Sequence, residues 1–518
     1  LHSALERMMP VRLLLLLLWC VLCAAVTTAS VDTVGQQDAV RSMFSRAWDA
    51  FRRFSWGWDE LLPCNGTGVD WLPGQGSLAL SVVEGLDTAA IMGLHSQVRL
   101  SLDWIEEHLS FADKDGLVSL FETNIRLLGG LLSAHDILPG ARDREMVLQK
   151  AVQLADRMIL AFQAPSGLPD TYINLATGAT SLPDWSHGSV VLAEVGTLQV
   201  EFKALTDRTG DNKYAEIATV IMDVIREQLQ EQPERHGLAP TLLSVETGEF
   251  TSDFVTLGGM GDSYFEYLLK QYLLTDGVEC TYLTMFNEAM GGMRSQLIGS
   301  SLPSHLTYVN QKNGTSLIPH MEELLCFLGG TLALSTTVEG TDREDNMHVA
   351  QGLAGTCYEF FHRTTTRLAP ESVSFAFSNN DYTIQNPTWQ MRPETAETLF
   401  YLWRITHDQK YRDWSWELAQ GIEQSAQVNF DHLFSGYANV VDVEAKEPQH
   451  RGRMQSYFLA ETLKYLFLTF SEDDLVPLDE FVFNTEAHPL RKFNPESKPY
   501  GKDATWIRNV DCSVLERP

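Results

Sequence analysis

Apolar residues recur along most of this chain at the three- and four-residue spacing that places them on one face of a helix. The pattern is clear in "SYFEYLLKQYLL", "ETLFYLWRITHDQKYRDWSWELAQGI" and "SYFLAETLKYLFLTF". Strand-like alternation is confined to short pieces such as "SVSFAFS", which suit hairpins in connecting loops. The sequence therefore predicts an all-α fold with small β-hairpins between its helices.

Two short polar stretches repeat along the chain and indicate how the helices pair. "TGDNKY" (Thr209 to Tyr214) and "THDQKY" (Thr406 to Tyr411) each follow an aromatic and leucine-rich helix and precede another helix. We interpret each as the turn of an αα-hairpin whose Asp caps the second helix. Repeated helix pairs must either stack as an open solenoid or close into a ring. Because the pairs are long and carry acids on their inner faces, we favour a closed α/α barrel.

The N-terminal segment has the features of a secretory signal. Arg12 precedes fourteen apolar residues, Leu13 to Val26, and the small residues "TTAS" follow. A membrane-spanning helix needs roughly 20 apolar residues, so an uncleaved anchor is the second choice. We predict a signal peptide or signal anchor at 1–30, one continuous domain at 38–490 and a tail at 491–518.

The composition and the net charge limit the classes of partner that this chain is expected to bind. The 518 residues carry 38 Lys and Arg against 68 Asp and Glu, a formal charge of -30. Such a chain repels nucleic acid and anionic membranes, so neither is an expected partner unless the apolar N-terminus is an uncleaved anchor. Cations and neutral polar ligands are favoured instead.

Cysteines and glycan acceptor sequences agree with a secretory lumen. The five cysteines after the signal are Cys64, Cys280, Cys326, Cys357 and Cys512, an odd number, so at least one is free or paired outside the chain. Asn65 and Asn313 each begin an Asn-Gly-Thr sequence, and both are predicted glycosylation sites.

Acidic residues interrupt segments that otherwise look buried. Glu122 and Arg126 stand at i, i+4 in "FETNIRLLGGLL", where an internal ion pair is the ordinary interpretation. Asp262 and Glu266 share this spacing, although like charges there cost a few tenths of a kcal/mol even in water.

Further acids begin other apolar runs. Glu394 follows Pro393 at a predicted helix start, where a lone acid usually serves as a partner of the helix dipole. The remaining acids of this group are Glu397, Glu322, Glu323 and Glu461, and the amide Gln455 stands in the same segment as Glu461. If these helix starts converge on one cavity, the pocket needs a cation or a protonated carboxyl, because uncompensated carboxylates repel one another.

Two chemistries use such a pocket. One is a hard metal ion held by oxygens, and the other is the pair of carboxyls in glycoside hydrolysis. The sequence lacks GxSxG, HExxH, a P-loop and a Cys/His set with zinc spacing. Tryptophans near the acids, in "SWGWDEL", "SLPDWSHG" and "YRDWSW", suit stacking on sugar rings, although such residues more often belong to the core.

Six long motifs together resemble one family. In order they are "FETNIRLLGGLLSAH", "TLGGMGDSYFEYLLK", "LLCFLGGTLAL", "MRPETAETLFYLWRIT", "QSYFLAETLKYLFLTF" and "FVFNTEAHP". Over roughly residues 40–490 they are similar to the class I α-1,2-mannosidases of glycoside hydrolase family 47. The resemblance implies an (αα)7 barrel, inverting hydrolysis of α-1,2-linked mannose on high-mannose Asn-linked glycans, and a catalytic calcium ion.

The resemblance also implies roles for individual residues. Glu122 matches the family's proposed general acid, and Glu394 its proposed general base. Asp262 matches a third essential carboxylate, which has also been argued to be the acid. The other matched residues are Arg126, which orients Glu122; Arg392, Glu397 and Glu486, which hold the sugar or the metal's waters; Thr485, which binds calcium; and Cys326 and Cys357, which form a disulfide.

Two positions depart from the family pattern. Glu323 stands where the family has His, and this replacement is expected to shift the pH optimum through the charge of the pocket. Gln455 stands where many members have Glu, and this change is expected to affect which mannose branch is preferred. We nevertheless assign both residues to substrate binding.

The expected protein is a monomeric, calcium-dependent mannosidase of the secretory pathway. The expected place is the endoplasmic reticulum or Golgi lumen, with secretion from the cell as an alternative. One alternative function is that of the degradation-enhancing branch of the family, which acts on misfolded glycoproteins. Asn124 in the motif "FETNIR" favours this alternative. The other is a catalytically impaired glycan-binding lectin, for which Glu323 is the only support.

Overall fold

The computed structural model describes residues 33–376, 379–430 and 435–493. Helices occupy most of these residues, and short strands connect them. The helices are 33–55 (α1), Leu80–Ile91 (α2), His95–His108 (α3), Leu120–Glu122 (α4), Gly129–Ile137 (α5), Ala141–Met158 (α6), Leu192–Val195 (α7), Gln199–Thr209 (α8), Lys213–Glu231 (α9), Asp262–Leu274 (α10), Cys280–Gln296 (α11), Phe327–Ser335 (α12), Arg343–His362 (α13), Glu394–Thr406 (α14), Gln409–Ser425 (α15) and Leu463–Thr469 (α16). Two π-helical segments, Thr123–Leu128 and Phe458–Thr462, lead into α5 and α16.

Seven of these helices form an inner ring. Going round it, α2 contacts α5, and α8, α10, α12, α14 and α16 follow in turn. The π-helical segment before α16 contacts α2 again, which closes the ring. The inner helices from α2 to α14 pack against the outer helices α3, α6, α9, α11, α13 and α15, each next in the chain. The seventh outer helix is α1, whose Gln37 donates a 2.8 Å hydrogen bond to Ser471 beyond the end of α16. The predicted ring of seven helix pairs is confirmed within the described residues.

Inner and outer helices differ in which faces they bury. In the inner helix α14, every residue from Glu394 to Arg404 is buried. In the outer helix α6, the buried residues Val147, Ala151, Leu154 and Met158 follow the helical spacing, and the opposite face is solvated. The inner helices therefore have neighbours on all sides, and the outer helices cover them with one apolar face.

The predicted hairpin turns are also present, with the predicted cap at Asp408 but not at Asp211, because Asn212 holds the N-cap position of α9. Asp408 precedes α15, and its carboxylate accepts a 3.1 Å hydrogen bond from the backbone N–H of Lys410. Asp211 accepts a 3.2 Å hydrogen bond from the backbone N–H of Lys213 at the start of α9. Each Asp satisfies a backbone donor that the first turn of a helix leaves without a partner.

Within the described residues the strands form nine small antiparallel sheets of two or three strands. This arrangement confirms the hairpins predicted between helices. The strands are Glu60–Leu62, Thr67–Val69, Leu117–Ser119, Tyr172–Asn174, Thr180–Ser181, Ser189–Val191, Leu242–Ser244, Phe254–Val255, Ile298–Ser300, Thr307–Val309, Gln311–Asn313, Ser316–Ile318, His320–Glu322, Ser372–Ser374, Thr383–Asn386, Gln427–Asn429, Ser435–Tyr437, Asn439–Val440, His450–Arg451, Phe481–Phe483 and Pro489–Arg491.

The last hairpin plugs the ring. Its strands, Phe481–Phe483 and Pro489–Arg491, contact the inner helices α10 and α5. Phe483 packs against the rings of Phe400, Tyr401 and Tyr465 from α14 and α16. We call residues 481–491 the plug hairpin. Its burial explains why a polar turn follows the sequence "FVF": the turn lies inside the ring.

Buried side chains hold the turn of the plug hairpin. Asn484 donates through Nδ2 to the Ile125 carbonyl, at 2.9 Å, and to Glu201 Oε1, at 2.8 Å. Lys464 Nζ donates to the carbonyl of Ala487 at 2.6 Å. The backbone of the turn is thus fixed by groups from three separate chain segments.

Asp87 ties the plug hairpin to two inner helices. Its carboxylate, fully buried on α2, lies 2.9 Å from Lys464 Nζ and 2.7 Å from His488 Nδ1. Although burial alone would raise it, the pKa of Asp87 is lowered from 3.8 to about 2 by the charges and hydrogen bonds of Lys464 and His488. Asp87 is therefore ionised in the folded protein at neutral pH.

The cysteines agree with an oxidising compartment. A disulfide joins Cys326 and Cys357, as the family resemblance implied. Cys280 is disulfide-bonded as well, Cys64 is exposed and free, and Cys512 lies outside the described residues. The predicted signal segment and most of the predicted tail also lie outside them. Along the parts of the chain that are described, no helix has the length and apolar character needed to cross a membrane.

We expect the Asp87→Asn variant to lose about 3–5 kcal/mol in the free energy of unfolding, because Lys464 is left buried without its counter-charge. Denaturant unfolding at neutral pH measures the loss. The matched control is Asp103→Asn, which breaks an exposed pair with Arg99 and should cost less than about 1 kcal/mol. Because the pKa of Asp87 is lowered, its contribution in the wild type should be complete above pH ~4 and decline as the pH falls toward 2. Equal losses in the two variants would contradict the assignment.

Candidate active site

Several inner helices begin at one end of the ring and carry acids in their first turns. Asp262 is the first residue of α10, and Glu394 is the first residue of α14. Glu122 ends the short helix α4, where the π-helical segment begins. The N-terminus of a helix carries partial positive charge, which favours carboxylates and sugar oxygens there. The closed ring thus brings together acids that are far apart in sequence.

These helix starts surround a pocket of about 390 Å³, which is in the usual size range for a small-molecule site. Among the described residues, eight acids and two arginines line it. The acids are Glu122, Glu194, Asp262, Glu266, Glu394, Glu397, Glu461 and Glu486, and the arginines are Arg126 and Arg392. Phe121, Trp185, Phe327 and Tyr457 add aromatic surface, and Thr485 of the plug hairpin also lines the pocket.

Arg126 holds three carboxylates in place. Its Nε donates to Glu122 Oε2 at 2.7 Å, and its Nη1 donates to Glu486 Oε1 at 2.6 Å and to Glu84 Oε2 at 3.3 Å. Tyr457 lies under the guanidinium, 5.3 Å away. The predicted ion pair between Glu122 and Arg126 is therefore present. It also connects α4 to α2 and to the plug hairpin.

Arg392, the second arginine of the pocket lining, also contacts two acids. Its Nε donates to Glu371 Oε2 at 3.2 Å, and its Nη1 lies 3.8 Å from Glu394 Oε1. Glu371 lies in the segment just before strand Ser372–Ser374 and does not line the pocket. Arg392 thus partly compensates the charge of Glu394.

A buried lysine supports the acids at the base of the pocket. Lys270 on α10 hydrogen-bonds Glu266, and its Nζ lies 3.7 Å from Glu397 Oε1. Tyr465 also donates to Glu397 Oε1, at 3.3 Å. Lys270 donates in addition to the carbonyl of Asn484, 3.2 Å away, and so links these acids to the plug hairpin.

Basic neighbours do not fully offset the negative charges of several other carboxyls in the pocket. Burial, together with the charges of Glu322 and Glu266, raises the pKa of Asp262 to about 7. Burial and the charge of Glu122 raise the pKa of Glu194 to about 7. Burial raises the pKa of Glu397 to about 8, although Lys270 opposes the shift. At neutral pH the pocket therefore holds protons or requires a cation.

Thr485 offers oxygens to such a cation. Its backbone N–H points to the hydroxyl of Tyr267, 3.3 Å away. Within the described part of the chain, neither its hydroxyl nor its carbonyl accepts a hydrogen bond. Also among these residues, no three His, Cys, Asp or Glu side chains form a direct metal cluster. Two unpaired hard oxygens in a strongly acidic pocket fit a hydrated hard metal cation, which prefers oxygen ligands.

Most of the predicted site residues meet in the pocket. Those that line it are Glu122, Arg126, Asp262, Arg392, Glu394, Glu397, Thr485 and Glu486. Glu323 lies behind the wall and accepts hydrogen bonds from Thr395. Gln455 is half-buried and is not among the lining residues. The predicted glycosylation residues Asn65 and Asn313 are exposed. The functional roles of all these residues stay predictions.

Three acids that line or support the pocket were not predicted from the sequence. Glu194 lines it, and Glu84 and Glu201 support its wall, yet none of them was singled out. Each is a single acid inside an apolar run, as in "SVVEGL" and "LQVEFKAL", and this signal could have found them. Of the three tryptophan-rich stretches, only "SLPDWSHG" reaches the pocket, through Trp185, which is 57% exposed.

Comparisons with known proteins agree with this geometry. Glycosyl hydrolase family 47 matches residues 43–492. A mannosyl-oligosaccharide 1,2-alpha-mannosidase of Arabidopsis thaliana is 40% identical over 89% of this chain and 80% of its own length. The endoplasmic reticulum mannosyl-oligosaccharide 1,2-alpha-mannosidase of Homo sapiens is 38% identical over 89% of this chain and 64% of its own length.

A solved structure extends the agreement to the fold. The alpha-1,2-mannosidase from Trichoderma reesei superposes with a TM-score of 0.80 at 28% identity, over 89% of this chain and 99% of that one. The family match covers most of the described ring, including every residue that lines the pocket. The chain belongs to glycosyl hydrolase family 47.

Proposed function

We propose that this protein hydrolyses terminal α-1,2-linked mannose from the high-mannose Asn-linked glycans of glycoproteins. The observation that carries the proposal is the acidic pocket itself, which Glu122, Glu394 and Thr485 of the plug hairpin line together although they come from distant segments of the chain. The relatives named above are mannosyl-oligosaccharide 1,2-alpha-mannosidases, which supports this substrate class.

The proposed reaction inverts the anomeric carbon. Inverting glycosidases place an acid and a base about 6.5–9.5 Å apart, so that a water fits between the base and the sugar. Glu394 is the proposed base: it takes a proton from this water as the water oxygen bonds to the anomeric carbon. Glu122 is the proposed acid: its proton goes to the glycosidic oxygen as the bond to the leaving sugar breaks. Free mannose and a glycan shorter by one residue result.

Exposure and charge support the division of roles. The side chain of Glu122 is 35% exposed, which suits a donor to a leaving group that extends toward solvent. Arg126 orients the Glu122 carboxyl through the 2.7 Å hydrogen bond. The pKa of Asp262, raised by burial to about 7, supports a protonated Asp262 that hydrogen-bonds the substrate and assists the acid. Arg392, Glu397 and Glu486 are proposed to bind sugar hydroxyls.

We propose Ca²⁺ as the cofactor. Thr485 would hold it through its hydroxyl and backbone carbonyl, while Glu266, Glu397, Glu461 and Glu486 would hold its water ligands. When bound, the ion would offset the negative charge of the pocket and bind sugar hydroxyls. The raised pKa values of the surrounding carboxyls support a cation at this position, because a positive charge lowers the cost of keeping them ionised.

The proposed location is the endoplasmic reticulum or Golgi lumen, and the proposed state is a monomer. The disulfide between Cys326 and Cys357 and the exposed Asn65 and Asn313 support an oxidising, glycosylating compartment. A relative named for the endoplasmic reticulum supports the secretory pathway. We propose that residues 1–30 direct the chain there as a signal peptide or signal anchor, and that the catalytic domain spans 38–490.

The two alternatives are less well supported. Asn124 was the residue that favoured the degradation-enhancing branch. It is buried and donates hydrogen bonds to Thr197 O and Glu201 Oε2, so its role is structural. The relatives reported above are glycan-processing mannosidases. A lectin without activity would not need the complete set of Glu122, Asp262 and Glu394, all of which line the pocket.

The proposed function is tested with a purified nine-mannose glycan. We expect release of mannose, loss of release with a calcium chelator, and recovery when Ca²⁺ is added back. Proton NMR of the first product should show β-mannose, because inversion converts the α linkage to the β anomer. Binding of the glycan without release, with or without chelator, would favour the lectin instead.

We expect Glu394→Gln to lower kcat by about 10²–10⁴-fold, because the attacking water loses its base. Glycan affinity, measured by calorimetry, should change little, since the amide keeps the shape of the side chain. Glu246→Gln, the same change on an exposed turn, is the control and should behave like the wild type. Wild-type turnover by the Glu394 variant would remove this residue from its assigned role.

We expect Thr485→Ala to weaken Ca²⁺ binding by at least about tenfold, because it removes one oxygen ligand, and even outer partners of a metal contribute about 10–100-fold. Direct Ca²⁺ titration of the folded protein measures this effect without any substrate. Thr177→Ala, on an exposed turn, is the matched control. Unchanged Ca²⁺ affinity in the Thr485 variant would rule out its hydroxyl as a ligand.

A further inference from the structure

Two buried side chains on neighbouring inner helices support the turn of the plug hairpin. Tyr267 on α10 and Glu201 on α8 are both completely buried. The Tyr267 hydroxyl lies 2.6 Å from Glu201 Oε1 and 3.3 Å from the backbone nitrogen of Thr485. Thr485 lines the pocket, whereas Tyr267 and Glu201 do not.

The direction of these hydrogen bonds follows from the groups involved. The backbone N–H of Thr485 can only donate, so the Tyr267 oxygen accepts from it. The single hydroxyl hydrogen of Tyr267 is then available to Glu201 Oε1. Glu201 accepts two further hydrogen bonds, both at 2.8 Å, from the Nδ2 atoms of Asn484 and Asn124. Tyr267 therefore connects the backbone of Thr485 to a carboxyl that two amides hold in place.

The two peptide planes that flank Thr485 are both held. In the preceding plane, the carbonyl of Asn484 accepts from Lys270 Nζ at 3.2 Å, and the N–H of Thr485 donates to Tyr267. In the following plane, the N–H of Glu486 donates to Asn484 Oδ1 at 3.0 Å. The Thr485 carbonyl belongs to this second plane and accepts no hydrogen bond within the described residues. Because a peptide unit is planar, fixing its N–H also fixes the direction of its carbonyl.

Both planes are tied to one carboxyl oxygen. Tyr267 connects the first plane to Glu201 Oε1, and the Asn484 side chain connects the second plane to the same atom. Rotating either plane would leave a buried donor without a partner, which costs free energy. The Thr485 carbonyl is thus fixed in direction before any ligand binds, and a group that needs no ordering on binding favours affinity.

We propose that Tyr267 is a positioning residue for the metal site, because its hydroxyl holds the backbone of Thr485 and so keeps the Thr485 carbonyl directed for the ion. The proposal rests on the proposed role of Thr485 as a Ca²⁺ ligand. The Tyr267 hydroxyl is bonded to Thr485 and Glu201 and is not itself a ligand. It therefore acts on Ca²⁺ affinity through the backbone and not on the chemical step.

The same substitution at two positions of α10 tests the hydroxyl. Tyr264→Phe is the matched control, because Tyr264 is equally buried and its hydroxyl has no hydrogen-bond partner among the described residues. We expect Tyr267→Phe to weaken Ca²⁺ binding by about tenfold, because outer partners of a metal contribute about 10–100-fold, and Tyr264→Phe to bind like the wild type. Direct Ca²⁺ titration of the folded proteins measures both. Wild-type affinity in Tyr267→Phe would overturn the proposal.

Hydrogen exchange followed by mass spectrometry tests the contact without any metal. In the presence of a chelator, Tyr267→Phe should exchange faster than the wild type in the peptide that contains residues 481–491, because the Thr485 N–H loses its acceptor. The outer helix α6 should exchange equally in the two proteins. Unchanged exchange in the plug hairpin would overturn the proposal. Faster exchange in α6 as well would also overturn it, because Tyr267 would then serve the stability of the whole fold.

A pair of variants at Glu201 tests the same connection should Tyr267→Phe not fold. In Glu201→Gln the amide oxygen can still accept from Tyr267 and Asn484, and only the hydrogen bond from Asn124 is lost. Glu201→Met fills the space but offers no acceptor to any of them. We expect the Gln variant to bind Ca²⁺ more tightly than the Met variant. Equal affinities of these two variants would overturn the proposal.

The failure of this proposal is distinguishable from that of the proposed function. A wild type that binds Ca²⁺ but releases no mannose would contradict the proposed function, and the titrations would still decide the role of Tyr267. A wild type that binds no Ca²⁺ would contradict both the proposed cofactor and this role. If the wild type binds Ca²⁺ and releases mannose, equal Ca²⁺ affinity in Tyr267→Phe would contradict the role of Tyr267 alone.

Discussion

Buried carboxylates need compensating charge, and the rest of this structure depends on how that need is met. Removing a carboxylate from water costs several kcal/mol unless a cation or hydrogen-bond donors replace the lost solvent. Here the basic side chains Arg126, Lys270 and Arg392 contact acids of the pocket, and Lys464 contacts Asp87 next to the plug hairpin.

The same basic groups connect the plug hairpin to the ring. Lys270 binds both Glu266 and the Asn484 carbonyl, and Lys464 binds both Asp87 and the Ala487 carbonyl. A group that compensates a pocket acid therefore also fixes the backbone around Thr485. Stability and function are coupled in this way: the hairpin that closes the core also presents the oxygens proposed to bind the metal.

The charges of the pocket acids are incompletely compensated, and this suits the chemistry proposed for them. Asp262 and Glu397 have raised pKa values because burial is not fully offset by their partners. Such groups exchange protons near neutral pH, as acid–base catalysis requires, and they favour a bound cation. Glu323 adds to this picture a buried carboxyl outside the pocket lining, hydrogen-bonded to Thr395 beside the proposed base.

The sequence by itself determined the helical character, the hairpin turns at Asp211 and Asp408, and the chemistry of the pocket, because helix periodicity and capping are local properties. Its motifs also identified the family, and with it the disulfide and most lining residues. Only the tertiary structure decided that Arg126 serves three acids, that Glu194 enters the pocket, and that Gln455 does not line it. It also decided that Glu323 is buried outside the pocket lining and accepts hydrogen bonds from Thr395. These relations join residues from distant segments, and the closure of the ring, which no local pattern encodes, sets the distances between them.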